Sequence, residues 1–146
     1  MGLVESFLTD QEEEAVIQAI KAAEKETSGE IRVHLEGHSD QSVMDRAKDA
    51  FSELGMHKTQ DSNGVLIYVA VYDHSFAIVG DKNINAVGGD AFWKSTRNSI
   101  ESHFRNDRFA EGLIAGIEEV GKALSQHFPI SPTDTDELSN QISKQE

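Results

Sequence analysis

The strongest hydrophobic signal in the chain is an unbroken apolar run, Val65–Val71, followed after Tyr72-Asp73-His74-Ser75 by a second run, Phe76–Val79. A run apolar at every position fits a central strand covered on both faces. A short polar turn between two such runs predicts an antiparallel hairpin. Upstream, Glu30–Glu36 alternates strictly. Ile31, Val33 and Leu35 point one way, and Glu30, Arg32, His34 and Glu36 the other. This predicts a strand with one wet face, near the edge of a sheet.

Helical spacing separates these strands. Thr9-Asp10-Gln11-Glu12 has the form of a capping box and precedes Val16, Ile17, Ile20 and Ala23. Ser28-Gly29 predicts the end of that helix, with Gly29 as a left-handed residue. A second helix is expected from Ser42, with Val43, Ala47, Ala50, Phe51 and Leu54 as its stripe and Gly55 as its stop. Two strands joined through that helix should be parallel, with a right-handed crossover. Gly80–Gly89 reads as a polar loop, and Asp90 as the cap of a third helix bearing Trp93, Arg97, Ile100 and Phe104. A fourth helix carries Leu113, Ile117, Val120 and Leu124, with Gly112 and Gly116 on one face for close packing. Beyond Pro129 the chain is Ser, Thr, Asp, Asn and Gln without aromatics. The expected organisation is one α/β domain over residues 1–128 and a disordered acidic tail over 129–146.

Composition narrows the chemistry. A chain of 146 residues buries a full core without a staple. It has no cysteine, which excludes disulfides, thiolate zinc sites and a Cys nucleophile. The start, Met-Gly-Leu-Val-Glu-Ser-Phe, lacks the basic segment and apolar run of a secretory leader, so a cytoplasmic protein is expected. A formal charge of −13 with scattered Lys and Arg disfavours nucleic acid and anionic membranes as partners. It favours cations instead. No nucleophile elbow, P-loop, dinucleotide fingerprint or His-Glu-x-x-His helix occurs.

Three groups of residues carry candidate chemistry. Asp61-Ser62-Asn63-Gly64 enters the central strand and Gly80-Asp81 leaves its partner. With Asp73-His74 as a two-residue turn, Asp81 faces Leu66 and lies a few residues from Asn63. Asp90 is placed to reach the same rim. Asp61, Asn63, Asp81 and Asp90 together offer the oxygen ligands that Ca²⁺ or Mg²⁺ prefers. The same residue types also serve ordinary turns. An EF-hand loop counted from Thr59 fails, because its twelfth position is Ala70. The second group, His34-x-Glu36-x-His38, could hold zinc if the strand extends that far, or could be a solvated face. The third, Asp73-His74, could support acid–base work or simply be a turn. Phe92, Trp93 and Phe104 read as core.

The ordered segments resemble the TPM domain family. The resemblance rests on Thr27-Ser28-Gly29-Glu30-Ile31-Arg32-Val33, Asn63-Gly64-Val65-Leu66-Ile67-Tyr68-Val69, Phe76-Ala77-Ile78-Val79-Gly80-Asp81, and Phe104–Gly112 with Gly116. Small stand-alone bacterial members are the nearest in pattern, through Met56-His57-Lys58-Thr59, Phe92-Trp93 and His127-Phe128-Pro129. The resemblance implies a three-layer α/β/α sandwich with a short mixed sheet of three to four strands and about four main helices. It also implies a divalent-metal site, often calcium, in an acidic cleft, onto which Asn63-Gly64 and Gly80-Asp81 map directly. Some family members are described as acid phosphatases and others as assembly or repair factors. Two readings follow: a calcium-binding module with an assembly, repair or stress role, or a metal-dependent acid phosphatase acting on phosphomonoesters.

Overall fold

The computed structural model describes residues 3–59, 61–130 and 141–145, except for the side chains of residues 3 and 88–92. After a single turn, α1 (Leu3–Ser6), the long helix α2 (Asp10–Glu24) begins on the expected capping box. The Glu12 amide donates to Thr9 Oγ1 at 3.1 Å, and the Thr9 amide donates to Glu12 Oε1 at 2.9 Å. Two otherwise orphaned donors are thereby satisfied. Thr9→Ala is expected to cost about 1 kcal/mol in urea unfolding, with no change in the slope of the transition.

The sheet has the order β3-β2-β1-β4. β1 (Glu30–Glu36) runs parallel to β2 (Gly64–Ala70), and β2 is antiparallel to β3 (Ser75–Gly80). β4 (Ser143–Gln145) lies parallel to β1 on its other side. Every residue of β2 is buried, as its unbroken apolar run requires.

One face of the sheet, with Ile31, Val33, Leu35, Val65, Ile67 and Val69, packs on α2, α5 (Lys94–Arg105) and α6 (Phe109–His127). The opposite face, with Leu66, Tyr68, Ala70 and Ala77, packs on α3 (Val43–Glu53) through Ala47, Ala50 and Phe51. This is the expected three-layer α/β/α sandwich. Gly55, at φ 72°, closes α3 in the left-handed region that glycine enters without a Cβ clash. Trp93 and Phe104 are core residues, as expected; the side chain of Phe92 lies outside the described residues.

Five expectations change. The polar side of β1 is not wet: Glu30, His34 and Glu36 are all buried, His34 and Glu36 through contacts from β4 and from Arg46 of α3. The hairpin connection is four residues, not two. Val71–Asp73 forms a 3₁₀ turn and His74 is left-handed at φ 51°, so Gly80 faces Val65 and the register moves by two. The segment read as a Gly/Asn loop is helix α4 (Lys82–Phe92), opened by the Asp81 carbonyl, which accepts from the Ile84 and Asn85 amides at 3.0 Å each. Burial of Ile84 and Trp93 outweighs the weak helix propensity of its Gly and Asn residues. Gly29 has no positive φ; its missing Cβ instead makes room for Leu124, whose Cδ1 would lie 2.8 Å away. Finally, part of the segment expected to be disordered is ordered. Pro129 bridges to Thr27 and Ser143–Gln145 forms β4, whereas residues 131–140 lie outside the described residues.

Candidate functional site

The metal-rim residues meet where β2 begins and β3 ends. The Asp81 amide donates to the Gly64 carbonyl at 3.0 Å, which sets the two loops side by side. Asn83 then ties down the entering loop. Its amide donates to the Ser62 carbonyl at 3.2 Å, and its Nδ2 to the Asp61 carbonyl at 2.6 Å. Ser62 is held at φ 49°, a left-handed conformation costly for a residue with a Cβ. Asp81 Oδ1 accepts from the Lys82 amide at 2.7 Å, while Oδ2 is buried with no partner among the described residues. Thr59 Oγ1, on the loop that enters β2, is also buried without a partner among the described residues.

The four predicted ligands do not converge equally. Asn63 is turned inward: its Nδ2 donates to Ser28 Oγ at 3.3 Å and its carbonyl accepts from the Glu30 amide at 3.4 Å. The Asp61 side chain is exposed. Asp90 is not an N-cap but lies in the last turn of α4, about two helical turns beyond Asn83. Its side chain lies outside the described residues. Among the described residues, no three His, Asp or Glu side chains gather tightly enough to hold a metal by themselves. Asp81 is the rim carboxylate with an oxygen left over, and Thr59 Oγ1 lies on the other loop, the one that enters β2. Oxygen ligands suit a hard cation.

A second polar centre lies at the other end of β1, roughly 20 Å along the strand. Glu36 is its hub. Arg46, from α3, grips the carboxylate with Nε on Oε2 at 2.7 Å and Nη2 on Oε1 at 2.6 Å. Tyr68 Oη donates to Oε2 at 2.5 Å, and His34 Nε2 lies 3.3 Å from Oε1. Glu53 takes the outer side of Arg46, with Nη1 on Oε2 at 2.7 Å. Burial raises the Glu36 pKa, but the hydrogen bonds from Arg46, Tyr68 and His34 outweigh it and bring it down to about 2. The phenol of Tyr68 is pushed up by burial and by facing that carboxylate. His34 is pushed down by burial, so at neutral pH its ring is neutral. A carboxylate can only accept, which places the His34 proton on Nε2 and leaves Nδ1 to accept from Ser143 Oγ at 2.9 Å.

This arrangement answers the other two candidates. His34 and Glu36 do meet, but His38 turns away to Asp73, at 3.2 Å, and packs on Tyr72. Asp73 therefore pairs with His38 and not with its neighbour His74, whose ring packs on Phe109. Glu36 is saturated with donors and is a poor base; its role is to bind strand to helix. Sequence reading missed Arg46, Tyr68 and Ser143 in this centre. The available signal was a lone hydroxyl-bearing residue, Tyr68, inside the apolar run. Beside the centre a cleft of about 510 Å³ opens to solvent, lined by Glu36, Gly37, His38, Arg46, Tyr72 and Gln145 among others.

The TPM domain family model matches residues 4–123, almost the whole sandwich. The chain belongs to the TPM domain family. No match is found among curated proteins. Among solved structures, this TPM domain is similar to the BA42 protein from the psychrophilic bacterium Bizionia argentinensis, with 54% identity over 99% of both chains and a TM-score of 0.91. The N-terminal domain of a P. gingivalis protein is 19% identical, with a TM-score of 0.68 over 84% of this chain and 79% of that one. The N-terminal domain of the cg2496 protein from Corynebacterium glutamicum is 18% identical, with a TM-score of 0.56 over 85% and 78%. These two share the fold. No helix among the described residues of this TPM domain is long and apolar enough to cross a membrane.

Proposed function

We propose that this TPM domain binds a divalent cation, calcium in preference to magnesium, at the rim formed by Gly64 and Asp81, and acts as a binding module in protein assembly, repair or stress response. The observation that carries the reading is Asp81 Oδ2, a buried carboxylate oxygen with no partner among the described residues. Such an atom is costly unless something positive meets it. Thr59 Oγ1, on the loop that enters β2, is another buried oxygen without a partner among the described residues. The net charge of −13 draws cations to the surface. Calcium is favoured because it tolerates an irregular set of carboxylate, hydroxyl and carbonyl oxygens, whereas magnesium demands near-octahedral geometry.

The test is a Ca²⁺ titration followed by amide chemical shifts, repeated with Mg²⁺ and with Asp81→Asn. The expected result is a saturable shift centred on Asn63, Gly64, Asp81 and Lys82. Asp81→Asn should weaken it at least tenfold, roughly 1.4 kcal/mol or more. An unchanged titration in Asp81→Asn would remove the site. Calcium-dependent hydrolysis of a generic phosphomonoester that disappears in Asp81→Asn would replace the binding module with a phosphatase.

A further inference from the structure

The edge of β1 is closed by three separate devices. At its approach, Pro129 bridges to Thr27, whose hydroxyl donates to the Phe128 carbonyl. One step on, the Ile31 amide donates to Glu24 Oε2 at 2.8 Å. Among the described residues, only 34–36 of this edge pair with another strand, the three-residue β4.

That short strand is read side chain by side chain. Ile142 packs against the main core. Ser143 Oγ meets His34 Nδ1 at 2.9 Å. The Lys144 ammonium sits between Glu13 Oε2, at 2.6 Å, and Glu5 Oε2, at 3.3 Å. The Gln145 carbonyl accepts from the Gly37 amide at 3.1 Å. An apolar socket, a hydroxyl reader, a two-carboxylate lysine clamp and a strand edge that pairs with a single short strand are the components of a peptide-recognition site that works by strand addition. β4 lies outside the residues that the family model matches.

The surroundings indicate what such a site would select. The 510 Å³ cleft opens directly beside Gln145, and its wall includes Glu36, Glu53 and Asp40. Arg46 is already committed to Glu36 and Glu53. A segment that continued past the Gln145 position would enter a cleft whose remaining charge is negative. We propose that the edge of β1 at His34–Gly37 is a docking slot for an extended, basic segment of a partner protein, of the order apolar–Ser–Lys–polar followed by Lys or Arg, and that Ile142–Gln145 is its tethered occupant. A tether holds its occupant at an effective concentration of about millimolar. A partner segment displaces it by filling the cleft as well as the slot. This site is separate from the proposed cation rim, at the opposite end of the sheet.

The experiment uses the full chain and two labelled peptides, Gln-Ile-Ser-Lys-Gln-Lys-Lys and the same peptide with Glu at its first Lys. Binding is followed by anisotropy, and its location by amide shifts. Lys144→Glu loosens the tethered strand without touching the slot. That variant is expected to bind the lysine peptide at least tenfold more tightly than the wild type, with shifts at Leu35, Glu36 and Gly37. The glutamate peptide should bind at least tenfold more weakly. Adding Glu13→Gln should abolish the gain, and Ser143→Ala provides a milder release should Lys144→Glu perturb the fold. Equal affinity for the two peptides, or no shifts at Leu35–Gly37 in either released chain, overturns the proposal. Concentration-dependent dimers with no peptide binding would overturn it in favour of strand exchange between two copies.

Discussion

Glu36→Ala is expected to lower the stability of the fold by about 4 kcal/mol, measured as a lower urea midpoint with an unchanged slope. The loss exceeds the worth of any one hydrogen bond because three donors are stranded together. Tyr68 is fully buried and loses its acceptor. His34 loses the partner that fixes its tautomer. Arg46, whose side chain is only 14% exposed, retains Glu53 alone, and that carboxylate is largely in water. Breaking a buried ion pair by deleting one partner is costly for this reason, whatever the net worth of the intact pair. Glu36→Gln should fall between the two, since one carbonyl oxygen still accepts while the new amide faces Arg46 donors. A loss below about 1 kcal/mol in Glu36→Ala would mean that water replaces the carboxylate without penalty.

The same network sets the acid limit of the protein. Glu36 titrates near 2 in the fold, against an ordinary 4.5. A depressed folded pKa contributes stability above the ordinary value, and that contribution is lost as pH falls toward 2. The shift corresponds to about 3 kcal/mol of pH-dependent stability. His34 acts in the same direction. Its pKa is lowered in the fold by burial, so below its ordinary value the unfolded chain takes up the proton first. Unfolding free energy should therefore decline with acidification from below neutrality. Glu36→Gln should flatten its lower part, between the ordinary carboxylate value and 2. An identical acid profile in that variant would place the acid sensitivity elsewhere.

Much of the architecture was legible because it depends on short-range pattern. The apolar run at Val65–Val71, the capping box at Thr9 and the stripe of α3 each determine their element from a few adjacent residues. The neighbourhood of Asn63-Gly64 and Gly80-Asp81 was legible for the same reason, since a hairpin brings its own ends together. What failed depended on distant partners. Alternation in β1 shows which residues share a face, but not whether that face is wet. Here Arg46, from the next helix, and Ser143, more than a hundred residues away in sequence, turn a polar face into a buried network. Asn63 and Asp61 have suitable side chains for a rim, yet hydrogen bonds to Ser28 and from Asn83 direct the amide and the backbone elsewhere. Composition misread α4, because burial of Ile84 and Trp93 outweighs its Gly and Asn content.

The second large effect is expected from Gly116→Val, at about 3 kcal/mol of destabilisation. Helix propensity alone predicts the opposite sign, because valine is a slightly better helix former than glycine. Packing decides the outcome. A Cβ at position 116 would lie 2.6 Å from Ile100 Cδ1 and 2.7 Å from its Cγ1, and Ile100 is fully buried. The side chain of Ile100 cannot swing into solvent, so α5 and α6 must separate or Ile100 must leave its rotamer. Pairing the substitution with Ile100→Ala tests this account directly. Ile100→Ala alone should also destabilise, by removing a buried side chain. The double variant should recover part of the sum, because the valine methyls occupy the space that Ile100 vacates. Simple additivity in that cycle would show that the cost of Gly116→Val does not arise from its contact with Ile100.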